Sequence, residues 1–283
     1  MQRRTLLQAA AATSVIAPAA AVAGAQQAAA APIDGALPAY PPGFYEDINI
    51  YPPRVQPGWR RDFVDNFDAG DLMQWGKYGW GYQPIGHGAM GVYKPENCFV
   101  ENGVLKIRTE YRNGQWTSGG ICSAPSFSAV GGRWEICAKM PWMEGLSYAF
   151  LLWPKNEVWP PEIDFAEGRA NQRTTQAAYH YGAENHQDLK WAQIDDPHTW
   201  HTYGVEYEPG RYIKWLFDGQ VFGEFWGWQV TDTPMRMTFQ TGAIAPGSEA
   251  ARWGDCVPNG VPGPTTPSRA DIEIAWVYHD RRA

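Results

Sequence analysis

Short runs of alternating apolar and polar residues recur along most of this chain, and helical periodicity is nearly absent. Successive side chains of a strand point to opposite faces, so alternation is typical of strands buried on one side. Turn pairs such as Asn113-Gly114 and Asp218-Gly219 separate the runs. The clearest runs are residues 104–109, 133–139, 211–217 and 271–277. The pattern predicts an all-β sandwich or barrel of antiparallel strands.

The alternating runs fill residues 59–283, a length that all-β folds reach as one domain. Residues 1–31 differ, because Arg3 and Arg4 precede an Ala-rich apolar run with Ala-x-Ala cleavage sites. This pattern is typical of a twin-arginine secretory signal. Residues 32–58 are rich in Pro and Ala and are expected to form an extended arm. We therefore expect an exported protein, periplasmic or extracellular.

The formal net charge is −7, and the loss of Arg3 and Arg4 with the signal makes it −9. An acidic surface disfavours nucleic acid and anionic membranes as partners. The apolar run of the signal is broken by Pro18, so it makes a poor spanning helix. We expect a monomer that binds neither nucleic acid nor membrane.

Cys98, Cys122, Cys137 and Cys256 form an even set, which permits disulfides in an exported protein. Four cysteines allow three pairings. Cys122 and Cys137 flank a predicted turn and could face each other, and Cys256 could then reach Cys98. Twin-arginine export moves folded chains, so free buried thiols are the alternative.

Three carboxylates, Glu162, Asp164 and Glu167, fall within six residues. In a regular strand Glu162 and Asp164 share a face, and Glu167 points away from them. One bulge between Asp164 and Glu167 would restore the phase. All three acids would then share one face, with Ile163 and Phe165 buried behind them.

Crowded like charges destabilise a sheet, so three acids on one face need an explanation. One explanation is a functional site, and the alternative is a solvated strand that carries scattered acids. The neighbouring residues are apolar and Pro-rich, and they supply no partner cations. In such a setting the pKa values of neighbouring carboxyl groups move apart, so that one group is a proton donor and another an anion at the same pH. Glycoside hydrolysis uses this pair of groups.

The motif Glu-Ile-Asp-Phe-Ala-Glu resembles the bulged Glu-x-Asp-x-x-Glu signature of glycoside hydrolase family 16. Further segments are similar to strands of that family in order and spacing: residues 64–68, 100–107, 118–121, 131–141 and 200–219. The resemblance implies a jelly-roll β-sandwich of two antiparallel sheets, concanavalin A-like, with a concave substrate cleft.

By the same resemblance Glu162 is the nucleophile, Glu167 the general acid/base and Asp164 the assisting residue. A retaining enzyme holds its two working carboxyl groups ~5–5.5 Å apart. The side chains of Glu162 and Glu167 must therefore lean together over Asp164.

The chain has 15 Trp and 14 Tyr, and flat aromatic faces pack against sugar rings. Core packing is the alternative for each of them. The candidates for substrate binding are Trp153, Trp159, His180, Trp142 and Trp253. Those assigned to the core are Trp134, Trp215 and Trp276.

Several positions depart from the family pattern. Ser147 and Leu151 stand where aromatic residues are usual, and Pro161 replaces a glycine before the first acid. Ala275 replaces an aspartate that helps to bind structural calcium, so calcium is doubtful and no cofactor or metal is expected. The changed residues leave the substrate identity open.

These observations predict a retaining endo-β-glycanase that acts by double displacement, most simply on β-1,3- or β-1,3/1,4-glucan. An exopolysaccharide-processing glycanase or a transglycosylase is an alternative with the same acids. A non-catalytic, lectin-like module is the alternative from another class, and an envelope structural protein is a third. Three crowded carboxylates argue against both non-catalytic alternatives.

Overall fold

The computed structural model describes residues 52–79, 89–248, 251, 261–263 and 266–283. Within them the chain forms eighteen strands and one 3-10 turn, Pro95–Asn97, and no α-helix. The four alternating runs coincide with the strands Val104–Arg112, Gly132–Lys139, Tyr212–Phe217 and Arg269–Arg282. The all-β prediction is confirmed. The predicted signal and most of the arm lie outside the described residues and stay predictions.

One sheet, called sheet I, is built around the last strand of the chain. Its order is β16 (Gln220–Trp226), β15 (Tyr212–Phe217), β14 (His201–Glu208), β9 (Gly132–Lys139), β18 (Arg269–Arg282), β6 (Val104–Arg112), β7 (Gln115–Ser118) and β4 (Val92–Tyr93). β1 (Trp59–Asp65) pairs with β18, and β5 (Cys98–Glu101) pairs with β6. Because β18 is 14 residues long, its two halves pair on one side with β6 and then β1.

The other sheet, sheet II, carries the acidic motif. Its order is β13 (His186–Gln193), β12 (Thr174–Tyr181), β11 (Glu162–Arg169), β10 (Leu146–Pro154), β17 (Met235–Ile244), β8 (Gly120–Cys122) and β2 (Gly76–Lys77), with β3 (Ala89–Met90) beside β17. All pairings between the described strands are antiparallel except the short parallel contact of β4 with β7. The expected pair of antiparallel sheets is therefore confirmed.

The two sheets share one hydrophobic core. Phe150 of sheet II lies edge-on to Tyr203 of sheet I, with ring centroids 5.9 Å apart. Trp134 and Trp215 of sheet I are fully buried in the same cluster, as predicted for both. Each buried aromatic side chain of this size contributes roughly 1.5–3 kcal/mol to folding, so the core fixes how sheet II sits.

Trp276 is also buried, as predicted, but it belongs to a second cluster. Its neighbour Val277 lies in the main core, and alternation along β18 turns Trp276 to the other face of sheet I. Ala275 lies in this second cluster, fully buried, beside Cys137. Its methyl group offers no oxygen to a calcium ion.

The pairing of Cys122 with Cys137, one of those that the sequence allowed, is wrong. Cys98, Cys122 and Cys137 are all free, buried thiols. Cys137 packs in the second cluster of sheet I, whereas Cys122 lies on β8 of sheet II, so the predicted turn does not bring them together. Cys256 lies outside the described residues.

No helix in the part of the chain that the structure describes is long and apolar enough to cross a membrane.

Candidate active site

The three acids lie on β11, near the middle of sheet II. The pairing register shifts between Asp164 and Glu167 against β12, and a matching shift occurs against β10. The bulge predicted from the motif is therefore confirmed. Ile163 and Phe165 are fully buried in the core behind it. The strand thus turns its acids to one face and its apolar residues to the other.

A side chain from the opposite sheet supports the bulge. The indole nitrogen of Trp215 on β15 donates a hydrogen bond of 2.9 Å to the main-chain oxygen of Asp164. A bulge disrupts the local ladder of hydrogen bonds, so its main-chain groups need other partners. Trp215 supplies one from within the core and fixes the strand where Asp164 stands.

Glu162 is held from the segment that precedes it. The indole nitrogen of Trp159 donates a 2.6 Å hydrogen bond to Oε2 of Glu162. Trp159 is half-buried, and its ring centroid lies 5.8 Å from that of His180. Trp159, predicted to bind substrate, therefore contacts the first acid directly. A hydrogen bond to a carboxylate favours the ionised form of that carboxylate.

His180 lies on β12 directly opposite Glu162 in the register. Its Nε2 is 3.5 Å from Oδ2 of Asp164, and its Nδ1 is 2.9 Å from the side-chain oxygen of Asn185. His180, a candidate for substrate binding, therefore lies next to the acids. Asn185 fixes the orientation of the imidazole ring, which points its other nitrogen at Asp164.

Burial raises the pKa of Glu162 well above its usual range, and the charge of Asp164 raises it further. The nearby His180 and the Trp159 hydrogen bond act in the opposite direction. Burial also raises the pKa of Asp164, to which the charge of Glu167 adds. Asp164 is only 1% exposed. Two neighbouring carboxyl groups with raised pKa values retain a proton where isolated acids have lost theirs.

Glu162, Asp164 and His180 each offer a ligand atom, and these atoms lie within 4.8 Å of one another. Among the described residues they are the one group of three such side chains close enough to hold a metal ion. A hydrogen bond also joins the carboxyl groups of Glu162 and Asp164.

Trp153 lies on β10, the strand beside the acids, and makes a contact that the sequence did not predict. Its indole nitrogen donates a 3.0 Å hydrogen bond to Oε2 of Glu157, which Arg236 also contacts through Nη2 at 3.1 Å. Trp153 and Arg236 are direct partners in the register of β10 and β17. Glu157 therefore joins an aromatic ring and a guanidinium group on the face that carries the acids.

The remaining candidates lie elsewhere. Trp142 is 71% exposed in the loop between β9 and β10, and its ring packs edge-on against His198 at 4.8 Å. No contact of Trp142 with the acids occurs among the described residues. Trp253 lies outside those residues, so its assignment stays a prediction.

Two of the departures from the family pattern lie beside the acids. Leu151 is directly opposite Asp164 in the register and is almost fully buried. Ser147 is also buried, and its hydroxyl donates a 3.0 Å hydrogen bond to the main-chain oxygen of Gly242. Neither side chain offers the flat surface that an aromatic residue would give at its position.

The chain is similar to known glycanases in sequence. It is 31% identical over 150 residues to the endo-1,3-1,4-beta-glycanase ExsH of Rhizobium meliloti, a match that covers 49% of this chain and 31% of ExsH. The chain thus spans less than a third of that relative. It is 28% identical over 203 residues to a beta-glucanase of Rhodothermus marinus, which covers 62% of this chain and 68% of that protein.

A solved structure has the same fold. The laminarinase catalytic domain of Thermotoga maritima superposes with a TM-score of 0.63 at 22% identity, over 80% of this chain and 99% of that one. The model of the family "Glycosyl hydrolases family 16" matches residues 87–258, which include all three acids of β11. With well over half of its length matched, the chain belongs to glycosyl hydrolases family 16.

Proposed function

We propose that this protein is a retaining endo-β-glycanase that hydrolyses internal bonds of a β-1,3- or β-1,3/1,4-glucan by double displacement. One observation carries the proposal: Glu162, Asp164 and Glu167 share one face of the bulged strand, where burial and mutual charge raise the pKa of the first two. Glycoside hydrolysis needs an anion and a proton donor side by side, and this cluster can hold both.

Glu162 is assigned as the nucleophile, which attacks the anomeric carbon as an anion. Of the two hydrogen-bonded carboxyl groups, Glu162 receives the Trp159 indole hydrogen, whereas Asp164 is more deeply buried. The hydrogen bond stabilises the charge on Glu162, and burial favours the neutral form of Asp164. We therefore place the shared proton on Asp164.

Glu167 is assigned as the general acid/base. It gives a proton to the departing sugar oxygen while the bond from Glu162 to the anomeric carbon forms. It then takes a proton from the water that releases the sugar from Glu162, so the proton count is restored after each cycle. Asp164 stands between the two, and in its neutral form it adds no further negative charge beside Glu162.

The substrate class rests on similarity. The relatives above are named as a 1,3-1,4-beta-glycanase, a beta-glucanase and a laminarinase. Trp153 beside Glu162 offers an aromatic face for a sugar ring next to the bond that is cleaved. Export by a twin-arginine signal remains part of the proposal, because an extracellular polymer is reached only by an exported enzyme.

A transglycosylase would use the same acids and differ only in what accepts the sugar. A lectin-like module would bind glucan without cleaving it. Both are outcomes of the following test.

The test incubates the mature protein with a panel of polysaccharides and measures new reducing ends. The Glu162→Gln variant is expected to lose more than about 10³-fold in rate, because it cannot form the covalent intermediate. Glu184→Gln is the matched control, since Glu184 is an exposed acid in the turn after β12, and it should retain the rate. If Glu162→Gln stays fully active, the nucleophile assignment is wrong.

The anomer of the first product tests the stereochemistry. Proton NMR of the early reaction should show the β-anomer, since two displacements retain configuration. An initial α-anomer from a β-glucan would exclude the double displacement. Binding without cleavage across the panel would favour the lectin alternative.

A further inference from the structure

A groove of about 470 Å³ lies at the end of the sandwich, behind the acidic face. It is bordered by Pro160 and Pro161 before β11 and by Tyr181 at the end of β12. The loop between β16 and β17 forms the other wall, with Trp228 at its tip. The groove therefore lies where loops of both sheets meet, and the acids do not line it.

The Trp228 side of the groove is rigid. The hydroxyl of Tyr179, which is buried in the core, donates 2.8 Å to the main-chain oxygen of Gln229 and accepts 3.0 Å from the amide of Thr231. The amide of Gly210 donates 2.9 Å to the oxygen of Val230. The two Tyr179 bonds hold the loop against β12 of sheet II, and the Gly210 bond holds it against the turn between β14 and β15 of sheet I. A preordered wall binds a ligand with little loss of conformational entropy.

Trp228 is the most exposed tryptophan among the described residues, with 82% of its surface accessible. Its ring lies beside the groove and offers a flat aromatic face to a ligand there. Tyr181 supplies a second ring to the groove, stacked on Tyr179 with centroids 5.1 Å apart.

The charge of the groove selects the ligand. Asp232 is the one charged side chain among the described residues that line it, and Gln229 adds an amide. A groove with one carboxylate and no cation disfavours sulfated or acidic polymers. Aromatic faces together with an amide and a carboxylate suit the apolar faces and the hydroxyl groups of neutral sugars.

The groove adjoins the two strands of the acidic site on their other face. Pro161 directly precedes Glu162, and Tyr181 directly follows His180, which lies opposite Glu162. Because neighbouring residues of a strand point to opposite faces, a ligand in the groove contacts the segments whose other face holds the acids. A polymer that reaches the acids therefore has further sugars or neighbouring chains within reach of the groove.

We propose that this groove is a second binding site for neutral β-glucan, separate from the cleft, with Trp228 as its main contact. The proposal rests on the proposed function for the identity of the polymer. The role of the groove is to hold the enzyme on long polymers while bond cleavage takes place at the acids. Two linked contacts raise the overall affinity for the polymer without new bonds at the acids.

The test uses the Glu162→Gln protein, which binds polymer without cleaving it. Affinity electrophoresis in gels with laminarin or mixed-linkage β-glucan measures retention. Adding Trp228→Ala should lower the affinity for polymer by roughly threefold to tenfold, as expected for the loss of one aromatic contact. Trp228→Phe should restore most of it. Trp226→Ala is the matched control, because Trp226 is 55% exposed but donates its indole hydrogen to Glu224 outside the groove.

Hydroxyl-radical footprinting provides an independent readout. Polymer should protect Trp228 from oxidation and leave Trp226 unchanged. The proposal is overturned if Trp228→Ala binds polymer as tightly as its parent, or if Trp226→Ala weakens binding equally. It is also overturned if Trp228→Ala changes the oligomeric state, since the groove would then join copies of the chain.

Failure of the proposed function is a separate result. It is measured as the absence of new reducing ends with the wild-type protein. Retention of the Glu162→Gln protein that depends on Trp228 would support the groove even then, whereas equal retention would overturn the groove and leave hydrolysis unaffected.

Discussion

Asp164 determines how the acidic site behaves with pH. Its pKa and that of Glu162 are raised in the folded protein, chiefly by burial. The folded state therefore binds more protons than the unfolded state above the usual carboxyl pKa of about 4. The free energy of unfolding must then fall as pH rises from that value to the raised pKa, by about 1.4 kcal/mol per pH unit for each retained proton.

The Asp164→Asn variant should flatten this pH dependence, because an amide does not titrate and no longer repels Glu162. It should be more stable than wild type above neutral pH, and its hydrolysis should be slower. Urea unfolding at pH 5, 6, 7 and 8 measures the slope for each protein. Asp195→Asn is the control, since Asp195 is exposed after β13 and should keep the wild-type slope. Equal slopes for the two variants would contradict the assigned proton.

Sequence reasoning reached the acids but not every residue around them. The three acids and His180 carry local signals, namely motif spacing and the strand that follows. Glu157 and Arg236 carry none, because they are 79 residues apart and meet only through the register of β10 with β17. Trp159 was predicted beside the acids, but its hydrogen bond to Glu162 depends on how residues 159–161 fold back, which alternation does not encode.

At the scale of the strand, the bulge was predictable because the spacing of the acids required an extra residue. The hydrogen bond that supports the bulge from the core was not predictable. Trp215 was predicted only as a core residue, since its alternation shows that it is buried and says nothing of its partner. The indole hydrogen bond to the main chain of Asp164 depends on how sheet I packs on sheet II.

Replacing Trp215 by Phe should leave the oxygen of Asp164 without its donor, at a cost of roughly 1–3 kcal/mol. Trp134→Phe is the matched control, because Trp134 is equally buried and donates 3.0 Å to the oxygen of Gly131, away from the acids. Both variants should unfold at lower temperature. Glucan hydrolysis well below that temperature should fall for Trp215→Phe alone. Equal activity in the two would show that the bond does not position the acids.

At the scale of the whole molecule, periodicity predicted an all-β sandwich or barrel because half-buried strands repeat their pattern locally, and the family resemblance implied the two sheets. It could not predict long-range contacts between cysteines. The possible pairing of Cys122 with Cys137 was wrong because the two cysteines stand on different sheets. The alternative of free thiols agrees with the structure.

If the thiols are free, the stability of the whole fold should not depend on reducing agents. The melting temperature should be the same with and without dithiothreitol, because no bond among Cys98, Cys122 and Cys137 is available to reduce. Burial raises the pKa of Cys98 to about 12, so its reactive thiolate is scarce at neutral pH. Ellman's reagent should therefore reach these three thiols only after denaturation. A melting temperature that drops on reduction, or fewer than three thiols released in denaturant, would show that the core is cross-linked by a disulfide.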